Sequence, residues 1–283
     1  MLKNRFKQLI KNISIVLINL MNATRFGRYF QELIIRAAME RAVRFTHKGH
    51  DFTFASPNSL CRWRYETFAS KEPETLEWID AMSVGSNVWD IGANVGLYSI
   101  YAAKHRGCHV SAFEPSVFNL ELLARNIFLN RVVDRVCIVP IALSDKVAAS
   151  HMKMTSMEWG GALSTFGEDY GWDGKTLKSV FEYKTVGLRM VDALELLSLP
   201  PPDYIKIDVD GIEHLILAGG QSILAKVKEV LIEVNDAFAE QSLQCQQSLI
   251  QAGLMLREKR QSEMVSILSE GFDRTYNQIW VRQ

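Results

Sequence analysis

The chain is short of most features that mark the simpler classes of protein. Cysteine is scarce: Cys61, Cys108, Cys137 and Cys245 lie far apart, with no C-x-x-C pair and no histidine cluster beside them. That pattern argues against a disulfide framework or a zinc site and suits a reducing cytoplasmic setting. Net charge is absent, because 32 Lys and Arg are matched by 32 Asp and Glu. Phosphate binding usually shows as a basic excess, so nucleic acid is not expected as a partner. The main apolar run, Ile13–Met21, spans nine residues, whereas a membrane-spanning helix needs about 20. No small-residue cleavage site of the A-x-A kind follows it clearly, which argues against a signal peptide. Proline (7) and glycine (17) are too few, and hydrophobic residues at 48% too many, for a disordered or collagen-like chain. No internal repeat is visible. A length of 283 residues then suits one large α/β domain or two small ones.

The amino terminus stands apart. Lys3, Arg5, Lys7, Lys11, Arg25 and Arg28 occur before the first acid, Glu32. Residues 1–45 are expected to form a basic, partly apolar helical arm, with the remaining domain spanning 46–283. Such an arm suits packing on the body of the protein or on a second subunit, or peripheral contact with an anionic membrane surface on the inner side. Phe30, Leu33, Ile34, Ala37 and Ala38 recur at helical spacing and predict core-facing positions.

From about residue 84 strands and helices alternate. Asn87–Ile91 predicts a strand, Gly92–Gly96 a glycine-rich turn, and Leu97, Ile100, Tyr101 and Lys104 the turns of a helix. His109–Glu114 predicts a second strand, followed by a helix with Ser116 as its N-cap. Val136–Ile141, Tyr204–Asp208 and Val230–Val234 predict further strands, with a short helix at Glu213–Ala218 closed by Gly219-Gly220. Met264–Leu268 and Asn277–Arg282, separated by Gly271 and Asp273, predict an antiparallel hairpin. The expected fold is α/β: a Rossmann-like, doubly wound, mostly parallel sheet of about seven strands, with a C-terminal antiparallel hairpin and a helical N-terminal arm. Ligands bind at the carboxyl ends of such strands.

Acids fall on that edge. Asp90, Glu114 and Asp208 each sit at or beside the carboxyl end of a predicted strand. Dinucleotide folds want G-x-G-x-x-G after the first strand, but this turn reads G-x-x-x-G with an acid two residues before it. A carboxylate there repels a pyrophosphate and suits a ligand with an amino group and a sulfonium. Glu114 is placed to accept both hydroxyls of a ribose, a role that serves either cofactor. The run Asp90, Gly92, Asn94, Gly96 with Glu114 therefore points to S-adenosylmethionine, and a nicotinamide-dependent oxidoreductase becomes the weaker reading.

Five segments then carry a family resemblance: VWDIGANVGLYSIYAA (88–103), AFEPSVFNLELLARNI (112–127), IALSD (141–145), YIKIDVDGIEHLILAGG (204–220) and VLIEVN (230–235). In order and spacing they resemble FkbM-type methyltransferases over about residues 60–283, and Arg64–Trp78 resembles the segment that leads into the first strand of that family. The resemblance implies a class I, S-adenosylmethionine-dependent enzyme that O-methylates a hydroxyl of a sugar, polysaccharide precursor or glycosylated metabolite. A non-catalytic cofactor-binding or scaffold member is the alternative. The turn Gly92–Gly96 would admit the methionine part of the cofactor, with Asp90 and Asn94 near its amino group and Glu114 on the ribose. Ser144 and Asp145 resemble the pair that faces the adenine.

The exit of the fourth strand bears on the chemistry. The Pro200-Pro201-Pro202-Asp203-Tyr204 run precedes this strand, whereas the N/D-P-P-aromatic motif of amino-group methylases follows it, so the run reads as a stiff connection. After the strand, Asp208, Asp210 and His214 are the candidate catalytic residues, because an alcohol benefits from a positioned base. Asp208 with Glu233 could bind a divalent ion, magnesium in some related enzymes. Ser150–Lys184 reads as a long irregular excursion, whose Trp159, Tyr170 and Trp172 are candidates to stack on an acceptor or shield the sulfonium. A small-molecule or glycan acceptor is the expected partner.

Overall fold

The computed structural model describes residues 2–261 and 274–282. Two helices, α1 (Leu2–Asn22) and α2 (Arg25–Met39), precede an antiparallel hairpin of β1 (Ala42–His47) and β2 (His50–Ala55). Thr24 caps α2 by accepting the Gly27 N–H at 2.9 Å. The arm boundary expected at residue 45 falls inside β1. The hairpin belongs to the body, since Phe45 and Phe52 stack on each other and on Phe68. The positions expected to face a core on α2 do not, for Phe30, Leu33 and Ile34 are exposed.

Three short helices lead to the sheet: α3 (Ser59–Glu66), α4 (Phe68–Lys71) and α5 (Pro73–Ala81). Asn58 caps α3 on the Cys61 N–H at 2.8 Å. Pro73 opens α5 at a position where no N–H is needed. The chain then runs through β3 (Asn87–Ile91), α6 (Leu97–Arg106), β4 (His109–Phe113), α7 (Val117–Leu129) and β5 (Val136–Val139), close to the expected bounds. The stretch expected to be irregular, Ser150–Lys184, holds β8 (Thr165–Phe166) and parts of β7 (Ala148–Met154) and β9 (Phe181–Leu188), which join β6 (Ala142–Leu143) in a separate sheet of order β6-β9-β7-β8. After α8 (Met190–Leu196) come β10 (Tyr204–Ile207), α9 (Glu213–Ala218), α10 (Gln221–Leu224), β11 (Glu229–Asn235), α11 (Ala239–Gln251), β12 (Leu254–Arg260) and β13 (Thr275–Arg282).

The main sheet has the order β12-β13-β11-β10-β3-β4-β5. Its five strands from β11 to β5 are parallel, and β13 runs antiparallel between β11 and β12. Buried residues on both faces of β3 and β10 explain their short apolar runs. Among the described residues β13 pairs antiparallel with β11 and β12, and the Met264–Leu268 segment expected as its hairpin partner lies outside them together with Gly271 and Asp273. Leu254–Arg260 was not expected as a strand because Glu258, Lys259 and Arg260 interrupt its alternation; those charges suit an edge. The strand order reverses between β3 and β10, which opens a crevice at their carboxyl ends.

Candidate active site

The first wall of that crevice is the turn after β3. Gly92 has φ +88°, and a Cβ there would lie 1.8 Å from the Asp208 carbonyl oxygen, so only glycine lets the β3 and β10 exits close on each other. Gly92 and Ala93 donate their N–H groups to the Phe113 carbonyl at 3.0 Å. Glu114, just past β4, accepts the Asn94 N–H at 2.7 Å on one oxygen and the Ser116 N–H at 2.7 Å on the other. Burial pushes its carboxyl up to about 7, against these backbone bonds. Asn94 donates its amide to Gly161 O at 2.8 Å, while its Oδ1 is buried with no partner among the described residues.

The second wall is the β10 exit with the helices before the sheet. A cavity of about 260 Å³ is lined by Trp63, Arg64, Phe68, Lys71, Glu72 and Tyr98 on one side and by Lys206, Asp208, Asp210 and Glu233 on the other. Gly92 and Asn94 form its floor. A smaller hollow of about 70 Å³, also bordered by Gly92, Asn94, Asp208 and Asp210, extends to Glu114 and Asn119. Beside it an apolar cleft of about 40 Å³ runs between Phe113, Pro115, Leu143 and Val209.

The cavity charges are paired. Lys206, buried in the middle of β10, donates to Asp208 Oδ2 at 2.8 Å and lies over the Tyr98 ring. Lys71 donates to Glu72 at 2.5 Å. Burial would raise the Asp208 carboxyl, but the Lys206 and Lys71 ammonium groups outweigh it and hold Asp208 below the usual carboxylate range. Lys71 does the same for Glu72. Glu233 moves the other way: burial, then the charges of Asp208 and Glu72, push it well above its ordinary value. Asp210 is raised to about 6 by burial and by Asp208. Its Oδ2 accepts the Leu163 N–H at 2.6 Å, which ties the 160–164 loop over the crevice.

Of the expected site residues, Gly92, Asn94, Glu114, Asp208, Asp210 and Glu233 share this connected crevice. Gly96 supports it from behind, where a Cβ would meet Leu123 at 2.5 Å. Asp90 does not line it: its Oδ2 accepts the Ser99 hydroxyl at 2.5 Å beneath Tyr98, and β3 alternation turns the side chain into the sheet's packing. Ser144 is buried and donates its N–H to Leu188 O at 2.9 Å and its hydroxyl to Asp145 at 3.0 Å; Leu143, one residue earlier, is the group that reaches the apolar cleft. His214 faces away. One helical step of about 100° from Glu213 turns its ring edge-on to Phe238, and burial lowers its pKa, leaving a neutral ring outside the crevice.

Trp159, Tyr170 and Trp172 also line none of the three cavities. Trp159 packs against the core, Tyr170 meets Phe238 edge-on at 5.4 Å, and the Trp172 carbonyl accepts from Asn235 at 3.2 Å. The aromatic faces at the crevice are instead Trp63, Phe68 and Tyr98. Phe68 lies in the Arg64–Trp78 segment, whose Lys71-Glu72 pair forms part of the wall, while Trp63 comes just before that segment and Tyr98 from the first turn of α6.

The expected metal pair is not supported. Asp208 and Glu233 do line one cavity, but Lys206 already pairs with Asp208 Oδ2 at 2.8 Å. Among the described residues no group of three or more His, Cys, Asp or Glu is arranged to hold a metal ion. No helix of the described residues is long and apolar enough to cross a membrane.

Comparison with known proteins places the fold and its chemistry. The 31-O-demethyl-FK506 methyltransferase FkbM of Streptomyces tacrolimicus is 27% identical over 174 residues, which cover 54% of this chain and 66% of that protein, just under two thirds of its length. Among solved structures, precorrin-6y C5,15-methyltransferase from Geobacter metallireducens is 15% identical with a TM-score of 0.44, covering 75% of this chain and 87% of its own. M. jannaschii TYW2 in complex with AdoMet is 13% identical with a TM-score of 0.43, covering 86% and 88%. The family model described as the methyltransferase FkbM domain matches residues 90–270, from the end of β3 to beyond β12. The chain belongs to the FkbM-domain family of S-adenosylmethionine-dependent methyltransferases.

Proposed function

We propose that the protein methylates a hydroxyl oxygen of a sugar or glycosylated small molecule. The observation that carries this reading is the single cavity in which an ionised Asp208, three aromatic faces and the Gly92–Asn94 floor meet. Sugars present apolar C–H faces that suit Trp63, Phe68 and Tyr98, and hydroxyls that suit carboxylates. The name of the Streptomyces relative, which describes a 31-O-demethyl substrate, supports an oxygen as the methylated atom.

The site fits the donor. Glu114 keeps lone pairs free beyond its two backbone bonds, and these can accept from two ribose hydroxyls. The buried, unpartnered Asn94 Oδ1 offers an acceptor to an ammonium group. Phe113, Pro115, Leu143 and Val209 offer an apolar slot for a flat base. When bound, S-adenosylmethionine supplies a methyl group on a positively charged sulfur.

Asp208 orients the acceptor. The substrate hydroxyl donates to its carboxylate, which leaves an oxygen lone pair free for the methyl carbon. A donor held at the Gly92–Asn94 floor would give up its methyl carbon to that lone pair and would keep the electrons of its own carbon–sulfur bond. The acceptor oxygen gains positive charge in that step, so its proton becomes strongly acidic and passes to Asp208. A carboxylate held low by two lysines is adequate for so acidic a proton. Alignment supplies much of the acceleration, on the order of several kcal/mol. Asp210 acts through the 160–164 loop that it anchors.

Calorimetry with S-adenosylhomocysteine tests the donor half, and absence of binding at millimolar ligand would refute it. Deleting the gene and comparing cellular glycans by mass tests the acceptor half: one CH2 is lost per methylated residue, and unchanged glycans and glycosides would reject it.

A further inference from the structure

The arm carries a surface that the methyltransferase crevice does not use. Helices α1 and α2 pack on each other, and neither makes a comparable contact with any other described element. Their junction is closely built: a Cβ at Gly27 would strike the Met21 carbonyl oxygen at 2.0 Å, and Gln31 donates to Ile18 O at 3.0 Å. Both helices nevertheless leave large apolar side chains open. Leu9, Ile13, Val16 and Leu20 recur along α1, and Phe26, Phe30 and Leu33 along α2, with Leu20 64% and Phe26 78% exposed. A face of this kind is uncommon on a soluble surface and marks an interaction site.

Charge selects the occupant. Six lysines and arginines precede the first acid, Glu32. A second copy docked about a two-fold axis would set these cations against their own equivalents, because a two-fold interface pairs one patch with itself. An anionic lipid surface neutralises them and at the same time accepts the apolar stripe. No described helix is long and apolar enough to span a bilayer.

We infer that the α1–α2 arm docks the protein on anionic lipid bilayers, with its apolar stripe in the headgroup boundary and its cations on the acidic headgroups. The inference rests on the arm alone and is independent of the acceptor proposed above.

The test uses the full chain with vesicles of phosphatidylcholine and of phosphatidylcholine mixed with phosphatidylglycerol. Binding is expected on the mixed vesicles at low salt, at least about tenfold weaker on phosphatidylcholine alone, and lost at high salt. The double variant Lys11→Glu with Arg25→Glu is expected to weaken binding by more than about twenty-fold, at roughly fivefold per cation. Phe30→Ser with Leu33→Ser is expected to weaken it by loss of apolar contact. S-adenosylhomocysteine affinity, unchanged in both variants, reports that the body is folded. Equal binding to both vesicle types, no binding to either, or undiminished binding by the charge-reversed variant overturns the inference. So does a dimer in vesicle-free solution that Phe30→Ser with Leu33→Ser dissolves, since that makes a second copy the occupant.

Discussion

Glu114 gives the proposed cofactor site a measurable pH dependence. Its carboxyl is raised from an ordinary 4.5 to about 7 by burial, a change worth about 3 kcal/mol in favour of the protonated form. Ribose hydroxyls donate to the ionised carboxylate, so binding favours the deprotonated form and draws the pKa back down. The sign follows: below pH 7 the free protein carries a proton that must leave on binding, and affinity falls as pH falls. With the bound-state pKa below 6, the dissociation constant of S-adenosylhomocysteine is expected to be about tenfold weaker at pH 6 than at pH 8. Calorimetry in buffers of different ionisation enthalpy should register nearly one proton released at pH 6 and almost none at pH 8. Glu114→Gln should weaken binding by about 1–3 kcal/mol and flatten the profile, because its NH2 would face the Asn94 or Ser116 N–H that Glu114 now accepts. A constant affinity from pH 6 to 8 without proton release would refute the assignment of Glu114 to the ribose.

Three further outcomes follow from the crevice geometry. Asp208→Asn should lower turnover by about a hundredfold or more while S-adenosylhomocysteine affinity changes little; equal turnover would remove Asp208 from the chemistry. Lys206→Met leaves the half-buried Asp208 beside Glu72 without its 2.8 Å partner, which should cost about 1–3 kcal/mol in chemical denaturation. The same variant should add a rising limb near neutral pH to the turnover profile as the Asp208 pKa climbs, and an unchanged profile would reject Lys206 as its positioning residue. Gly92→Ala places a methyl group 1.8 Å from Asp208 O at φ +88°, and a loss of at least about 2 kcal/mol in stability with weakened S-adenosylhomocysteine binding is expected. A stable variant that binds normally would show that the two strand exits are not locked as described.

The sequence exposed one half of the crevice far better than the other. Gly92, Glu114 and Asp208 were legible because each ends a strand, and a parallel sheet puts all its carboxyl ends on one edge. The balancing cations were not. Lys206 reads as an interior strand residue whose face is set by neighbours, and Lys71 and Arg64 come from helices that precede the sheet and reach it only in three dimensions. Asp90 and His214 stand outside the crevice for a common reason. Proximity in sequence does not fix direction, and one residue of strand or helix turned each side chain into packing. The excursion aromatics stand apart for another reason, since Trp159 packs against the core and Tyr170 against Phe238. Strand β12 was missed because edge strands carry the charges that obscure alternation.

Removal of divalent ions bears on whether the acid cluster is a metal site or a self-balanced charge network. Glu72, Asp208, Asp210 and Glu233 line one cavity and by residue type resemble an oxygen donor set. One oxygen of each of three is already held, however. Lys206 holds Asp208 at 2.8 Å, Lys71 holds Glu72 at 2.5 Å, and Leu163 N–H holds Asp210 at 2.6 Å. A dication entering this cavity meets two ammonium groups and the Arg64 guanidinium. Each unit positive charge about 4 Å from another costs about 4 kcal/mol at an effective dielectric constant near 20. The lysines therefore do the neutralising that a metal would otherwise do, and they hold Asp208 ionised without it. Dialysis against a chelator should leave turnover unchanged, and added magnesium should not raise it. Turnover that disappears on chelation and returns with magnesium would mean that the Lys206–Asp208 pair opens in the working enzyme, and the role assigned to Asp208 would have to be abandoned.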